Sequence, residues 1–203
     1  KHVFQHESGL VILSASGPVF TLPEEQQLLQ EVIDALSYTW NNVKISPEGF
    51  VTGLVFHPTE KDLMYCRTDV GGAYRWNANS QEWIPMMESF GVDETSLFGI
   101  DGIALSRTNP DVVYVAAGMY AYNYPEQPHD VLKSVDRGIT WTRTNLNKRF
   151  FGNGANSYGD QRIDGERIAV DPYDENIVYC GTRYDGLWVT KDGAQTWEQV
   201  EAI

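Results

Sequence analysis

Histidine and cysteine are scarce in this chain, with 4 His and 2 Cys among 203 residues. His2, His6, His57 and His129 show no metal-ligand spacing, and His57 precedes Pro58 in a short turn. Metal catalysis is therefore not expected, and no cofactor is called for. Positive charge is also short: 15 Lys and Arg stand against 28 Asp and Glu, a formal net charge of −13. Such a surface repels phosphate backbones and anionic lipid, which argues against nucleic-acid and membrane partners. A neutral polysaccharide is indifferent to it. No apolar run approaches the ~20 residues that span a bilayer. The run from Leu10 to Leu13 is too short for a signal-peptide core, and only Lys1 supplies basic charge before it. The sequence opens without an initiator Met, so its true start can lie elsewhere and secretion stays open.

Aromatics and glycine are plentiful, with 6 Trp, 11 Tyr and 18 Gly. That mixture favours short strands and frequent turns over long helices. Laid on itself, the chain repeats one pattern three times. The first copy runs through Gly53–Pro58, Asp62–Cys66, Ala73–Trp76 and Glu82–Pro85. The second runs through Gly102–Leu105, Asp111–Val115, Val131–Lys133 and Thr140–Arg143. The third runs through Arg167–Pro172, Asn176–Cys180, Gly186–Val189 and Thr196–Gln199. Tyr65, Tyr114 and Tyr179 fall in register, as do Trp83, Trp141 and Trp197. Four strand-like runs per unit, split by Pro, Asp, Asn and Gly, predict the blades of an all-β propeller.

Thr39-Trp40-Asn-Asn-Val43 reads as a lone copy of the last strand, as when the start of a chain completes the final blade. Three blades and one closing strand do not close a ring, and seven blades of about 45 residues would need a longer chain. The expectation is a partial propeller over residues 38–203, of a type with seven blades when complete. Residues 1–37 stand outside the repeat as an N-terminal extension. Within it, Thr21-Leu-Pro-Glu24 reads as a helix start, and Leu28, Leu29, Val32, Ile33 and Leu36 share one helical face. Cys66 and Cys180 occupy the same strand position in blades one and three. A whole blade between them exceeds the ~7 Å that a disulfide tolerates, so both read as buried free thiols.

Loops in a blade alternate between the two faces of the disc. Those joining strands one to two and three to four are short: His57–Lys61, Asp171–Glu175, Asn77–Gln81 and Asp136–Ile139. On the opposite face Met87–Asp101, Gly118–Asp130 and Asn145–Glu166 are long. Long loops on a rigid scaffold are where binding concentrates. They carry Tyr120, Tyr122, Tyr124 and Arg162, candidates for stacking on sugar rings and bonding their hydroxyls. The short face carries two Asp boxes, Ser134–Trp141 and Thr190–Trp197, the second with Ala194 where Gly is usual. Asp136 and Asp192 are expected to bond backbone N–H groups within the turn, while Trp packs between strands. This is a folding device, with no catalytic part.

Across residues 38–200 the chain resembles the N-terminal propeller of glycoside hydrolase family 74. The resemblance rests on Tyr38–Val43, Gly49–Pro58, Asp101–Leu105, Val112–Tyr120 and Gly165–Pro172. Most specific is the run Cys66-Arg-Thr-Asp-Val-Gly-Gly-Ala-Tyr-Arg-Trp76. It implies two propellers facing across a cleft, and inverting cleavage of β-1,4-glucan backbones such as xyloglucan. It implies Asp69 as the catalytic base, with the acid supplied by the second propeller, for which no residue here matches. Gly71 and Gly72 beside Asp69 would let a glucan chain approach the backbone. In the alternative reading, Asp69 ties down that glycine turn. The segment Gly152–Asp164 is longer than the family's run, which bears on substrate choice.

The leading expectation is thus part of an extracellular or periplasmic inverting endo-β-glucanase, inactive as 203 residues because the acid is missing. Its rival is a non-catalytic propeller that binds carbohydrate or protein. A third reading, an exo-sialidase, needs clustered arginines, whereas Arg67, Arg75, Arg162, Arg167 and Arg183 are scattered.

Overall fold

The structure is a computed structural model that describes residues 2–6, 9–13, 49–118, 129–148, 167–182 and 185–201. The chain forms two compact units, Lys1–Asn42 and Val43–Ile203. In the first, β1 (His2–His6) and β2 (Gly9–Leu13) pair antiparallel, His2 opposite Leu13 and His6 opposite Gly9. Sequence reading assigned no strand there. Apolar residues cluster in both runs without the alternation that marks a half-buried strand. The expected helix after Thr21 and the lone strand at Trp40 lie outside the described residues.

The described residues of the second unit form three four-stranded antiparallel sheets, each in sequential strand order. Blade 1 comprises β3 (Val51–Phe56), β4 (Met64–Thr68), β5 (Ala73–Asn77) and β6 (Glu82–Pro85). Blade 2 comprises β7 (Ile100–Leu105), β8 (Val113–Ala117), β9 (Asp130–Ser134) and β10 (Thr142–Arg143). Blade 3 comprises β11 (Ile168–Val170), β12 (Val178–Gly181), β13 (Leu187–Thr190) and β14 (Glu198–Gln199). A 3-10 stretch, Val92–Phe98, occupies the connection between blades 1 and 2, where the sequence suggested only a long loop.

Blades pack face to face. Tyr65, Ala73, Met86 and Met87 of blade 1 meet Ile103, Val113, Val115 and Leu132 of blade 2. The other face of blade 2, with Ala104, Tyr114, Ala116 and Val131, meets Ile168, Val178 and Cys180 of blade 3. Each fully buried Val, Leu, Ile or Met side chain among these contributes about 1.5–3 kcal/mol. Polar stitches repeat along the seams. Trp141 Nε1 donates to Met86 O at 2.8 Å, and its counterpart Trp197 Nε1 donates to Thr144 Oγ1 at 3.1 Å. Arg75 donates to Arg137 O across the first seam, and Lys133 donates to Gly193 O across the second. Period-matched residues thus make period-matched bonds between blades.

The strand three-to-four turns hold their aspartates as expected. Asp136 accepts from Ile139 N, Thr140 N, and the Ser134 and Thr140 hydroxyls at 2.6–3.0 Å. Asp192 repeats this with Gln195 N, Thr196 N and the Thr190 and Thr196 hydroxyls. Hydrogen bonding led by the Thr196 hydroxyl holds the Asp192 carboxyl at about 2. Thr140 and Thr196 therefore belong to the turns, and the fourth strands of blades 2 and 3 begin two residues later than the repeat suggested. Ala194 adopts φ +71°, a strained value for a side-chain-bearing residue. Cys66 and Cys180 are buried free thiols.

Candidate functional site

The blade 1 hairpin positions Asp69. β3 and β4 pair Val51 with Thr68 and Leu54 with Cys66, but the register shifts between Val51 and Gly53, leaving Thr52 as a bulged residue. Bulges re-aim side chains at sheet rims. Arg67 is buried and donates through Nη1 to the Thr52 hydroxyl at 2.7 Å. A Cβ on Gly53 would meet the Arg67 guanidinium at 2.7 Å, so glycine makes room for that side chain.

Beyond the bulge, Phe50 and Asp69 face each other. Phe50 N donates to Asp69 Oδ1 at 2.8 Å, and Asp69 N donates to Phe50 O at 3.1 Å. Asp69 is 5% exposed. Its carboxylate is thus gripped by the neighbouring strand, whereas the glycine turn is tied by Thr68. The Thr68 hydroxyl accepts from Gly71 N and donates to Gly72 O, both at 2.8 Å. Tyr74 OH donates to Gly71 O, and Gly72 N donates to Phe98 O at the end of the 3-10 stretch.

Gly72 also has a packing role. Gly71 and Gly72 are both buried, and a Cβ on Gly72, at φ +90°, would lie 2.9 Å from Met87 Cγ. The missing side chain of Gly72 admits Met87 and Phe98 under the turn.

The same bulge recurs in blade 2 between Ile100 and Gly102, with Asp101 as the bulged residue. Asp101 is fully buried and pairs with Arg167 Nε of blade 3 at 3.0 Å. The arginine that looked scattered in sequence therefore has a seam partner. Asp130 is a further buried carboxylate that sequence reading passed over. It accepts from Asn145 N and Leu146 N, both at 2.9 Å, and clamps the chain leaving β10. Burial pushes its pKa up, against the pull of those backbone donors. A hollow of about 450 Å3 on the blade 2–3 seam is lined by Lys133, Arg143, Asn145 and Gln195. Its cations are internally engaged, Lys133 by Gly193 O and Arg143 by Glu94 and Asp130.

Asp69 is the one candidate whose geometry is described. Tyr120, Tyr122, Tyr124 and Arg162 lie outside the described residues. Phe50 was quoted in sequence only as part of the Gly49–Pro58 run. Its position opposite Asp69 needs the bulge, which leaves no mark in residue spacing.

Three four-stranded sheets stitched face to face, with a buried carboxylate at one rim, define the chain as part of a β-propeller. Within that class, it is 44% identical over 175 residues to the xyloglucanase Xgh74A of Acetivibrio thermocellus, covering 85% of this chain and 20% of the relative. It is 42% identical over 167 residues to an oligoxyloglucan-reducing end-specific xyloglucanase of Emericella nidulans, covering 82% and 20%. The solved GH74 xyloglucanase of Xanthomonas campestris superposes with a TM-score of 0.67 at 42% identity, over 80% of this chain and 22% of that one. No protein-family model matches. The chain is thus a glycoside hydrolase family 74-like propeller segment, and it spans about a fifth of the length of the curated relatives it matches.

Proposed function

We propose that this chain forms part of one wall of an inverting endo-β-1,4-glucanase acting on xyloglucan or a related plant polysaccharide, with Asp69 as general base. One observation carries the reading. The run that resembles family 74 most specifically, Arg67–Trp76, folds as strand, turn and strand with Asp69 held at the rim by a backbone donor. In this mechanism Asp69 takes the proton of a water attacking the anomeric carbon, while an acid on the opposite side protonates the leaving oxygen. Inversion requires roughly 6.5–9.5 Å between the two carboxyl groups. The acid, the remaining blades and a second propeller come from other parts of the full gene product, and the 203 residues alone are inactive.

Tyr120, Tyr122, Tyr124 and Arg162 serve as substrate contacts in this proposal. The Ser134–Trp141 and Thr190–Trp197 turns are Asp boxes of the BNR type, and the protein works outside the cell or in the periplasm. No nucleic acid, membrane, metal or cofactor takes part. The alternative is a non-catalytic binding propeller. Asp69→Ala in the full gene product separates the two. A glycosidase loses turnover and keeps its affinity for xyloglucan; a binding module shows no turnover to lose.

A further inference from the structure

We infer that Phe50 is a stacking platform for a glucosyl ring beside Asp69; this rests on the glycosidase reading of Asp69. Phe50 is 55% exposed. Exposed apolar residues on this blade have an ordinary explanation, since Leu54 and Phe56 stand on the sheet face turned away from blade 2. That explanation fails for Phe50. Cross-strand partners share a side of the sheet. Val51 pairs with Thr68, on the side of Cys66 and Leu54, whereas Gly53 pairs with Arg67, on the side of Tyr65 that packs on blade 2. The bulged Thr52 separates the two series. Phe50, bonded to Asp69, therefore continues the Arg67 series and not that of Leu54 and Phe56.

The backbone of Phe50 is fixed independently of its ring. Both its N–H and its C=O bond to Asp69, at 2.8 and 3.1 Å. Gly49 sits so close that an added Cβ would lie 2.9 Å from Thr68 Cβ and 3.0 Å from Gly71 N. An aromatic ring on a rigid backbone, adjoining a carboxylate, offers a large apolar face at low entropic cost. A pyranose ring presents the matching face of C–H groups, and its hydroxyls point outward to polar neighbours. Stacking there would fix the sugar next to the atom that activates water, where orientation counts most.

The test uses the full gene product in an Asp69→Asn background, which keeps an oxygen for Phe50 N–H, with a xyloglucan oligosaccharide of two backbone repeats as the calorimetric ligand. Phe50→Ala is expected to weaken binding about tenfold, and Phe50→Tyr to hold affinity within about twofold. Unchanged affinity in Phe50→Ala, a loss that Tyr does not restore, or no binding of the oligosaccharide to the Asp69→Asn protein would each overturn the inference. A melting temperature that falls with affinity unchanged would assign the ring to packing and overturn it as well. Hydrolysis persisting in Asp69→Asn would remove Asp69 as base while leaving the binding comparison intact.

Discussion

Three tyrosines in one register offer a graded test of how the blades are held together. Tyr65, Tyr114 and Tyr179 occupy matching positions on the second strands, but their surroundings differ. Tyr114 is fully buried, and its hydroxyl donates to Glu175 O across the blade 2–3 seam at 3.1 Å. Tyr65 is equally buried, yet among the described residues its hydroxyl has no partner. Burial pushes its pKa up to about 12. Tyr179 is 41% exposed on the open face of blade 3. Removing one hydroxyl from each therefore has three expected results. Tyr114→Phe loses a seam bond to a half-buried carbonyl and costs about 1 kcal/mol. Tyr65→Phe removes a buried, unsatisfied hydroxyl and is neutral or stabilising by about 1 kcal/mol. Tyr179→Phe changes stability by less than about 0.5 kcal/mol. Thermal and urea unfolding of the 203-residue chain reads the series. A difference of 1 kcal/mol moves the melting temperature by roughly 2–4 °C at this size. Tyr65→Phe proving as costly as Tyr114→Phe would refute the reasoning, because it would mean the two hydroxyls are equally bonded.

Other consequences follow from the same seams and turns. Asp192 sits at about 2 against an ordinary 3.8, so its folded pKa lies below its unfolded one. Its contribution is complete above about pH 4 and fades as pH falls through about 2; Asp192→Asn should flatten the acid limb of stability against pH. Cys66 and Cys180 are pushed up to about 12 by burial. Both should resist iodoacetamide at pH 8 in the native protein and react on unfolding, as mass spectrometry would show. Breaking the Asp101–Arg167 pair with Arg167→Met should cost about 3–5 kcal/mol, and adding Asp101→Asn should recover part of it. A purely additive double mutant would mean the pair is not coupled.

The three blades were legible because each strand repeats the same polar punctuation, and Glu82–Pro85 appears with the expected bounds. The turn aspartates were legible for the same reason: a short local motif determines a local bond set. The hairpin at His2–Leu13 was not, since neither run alternates. The two bulges were not, because one extra residue in a strand is silent until its partner's register is known. That silence hid the most informative part of the site. Thr52 and Asp101 stood just outside the strand-like runs, Arg67 and Arg167 looked like isolated charges, and Phe50 like one more aromatic. Each acquires its meaning from a residue on another strand or another blade. Gly72 shows the converse, a noticed glycine whose positive φ and packing against Met87 and Phe98 only the structure gives.

The central claim is that Asp69 activates water for inverting cleavage. Its most direct test is the rate of xyloglucan hydrolysis by the full gene product and its Asp69→Ala variant, with the first-formed anomer read by proton NMR. The account predicts α-configured reducing ends from the parent protein and a loss of roughly 10²–10⁴ in kcat for the variant. A variant that retains turnover, or a parent that releases β-configured ends, would contradict it.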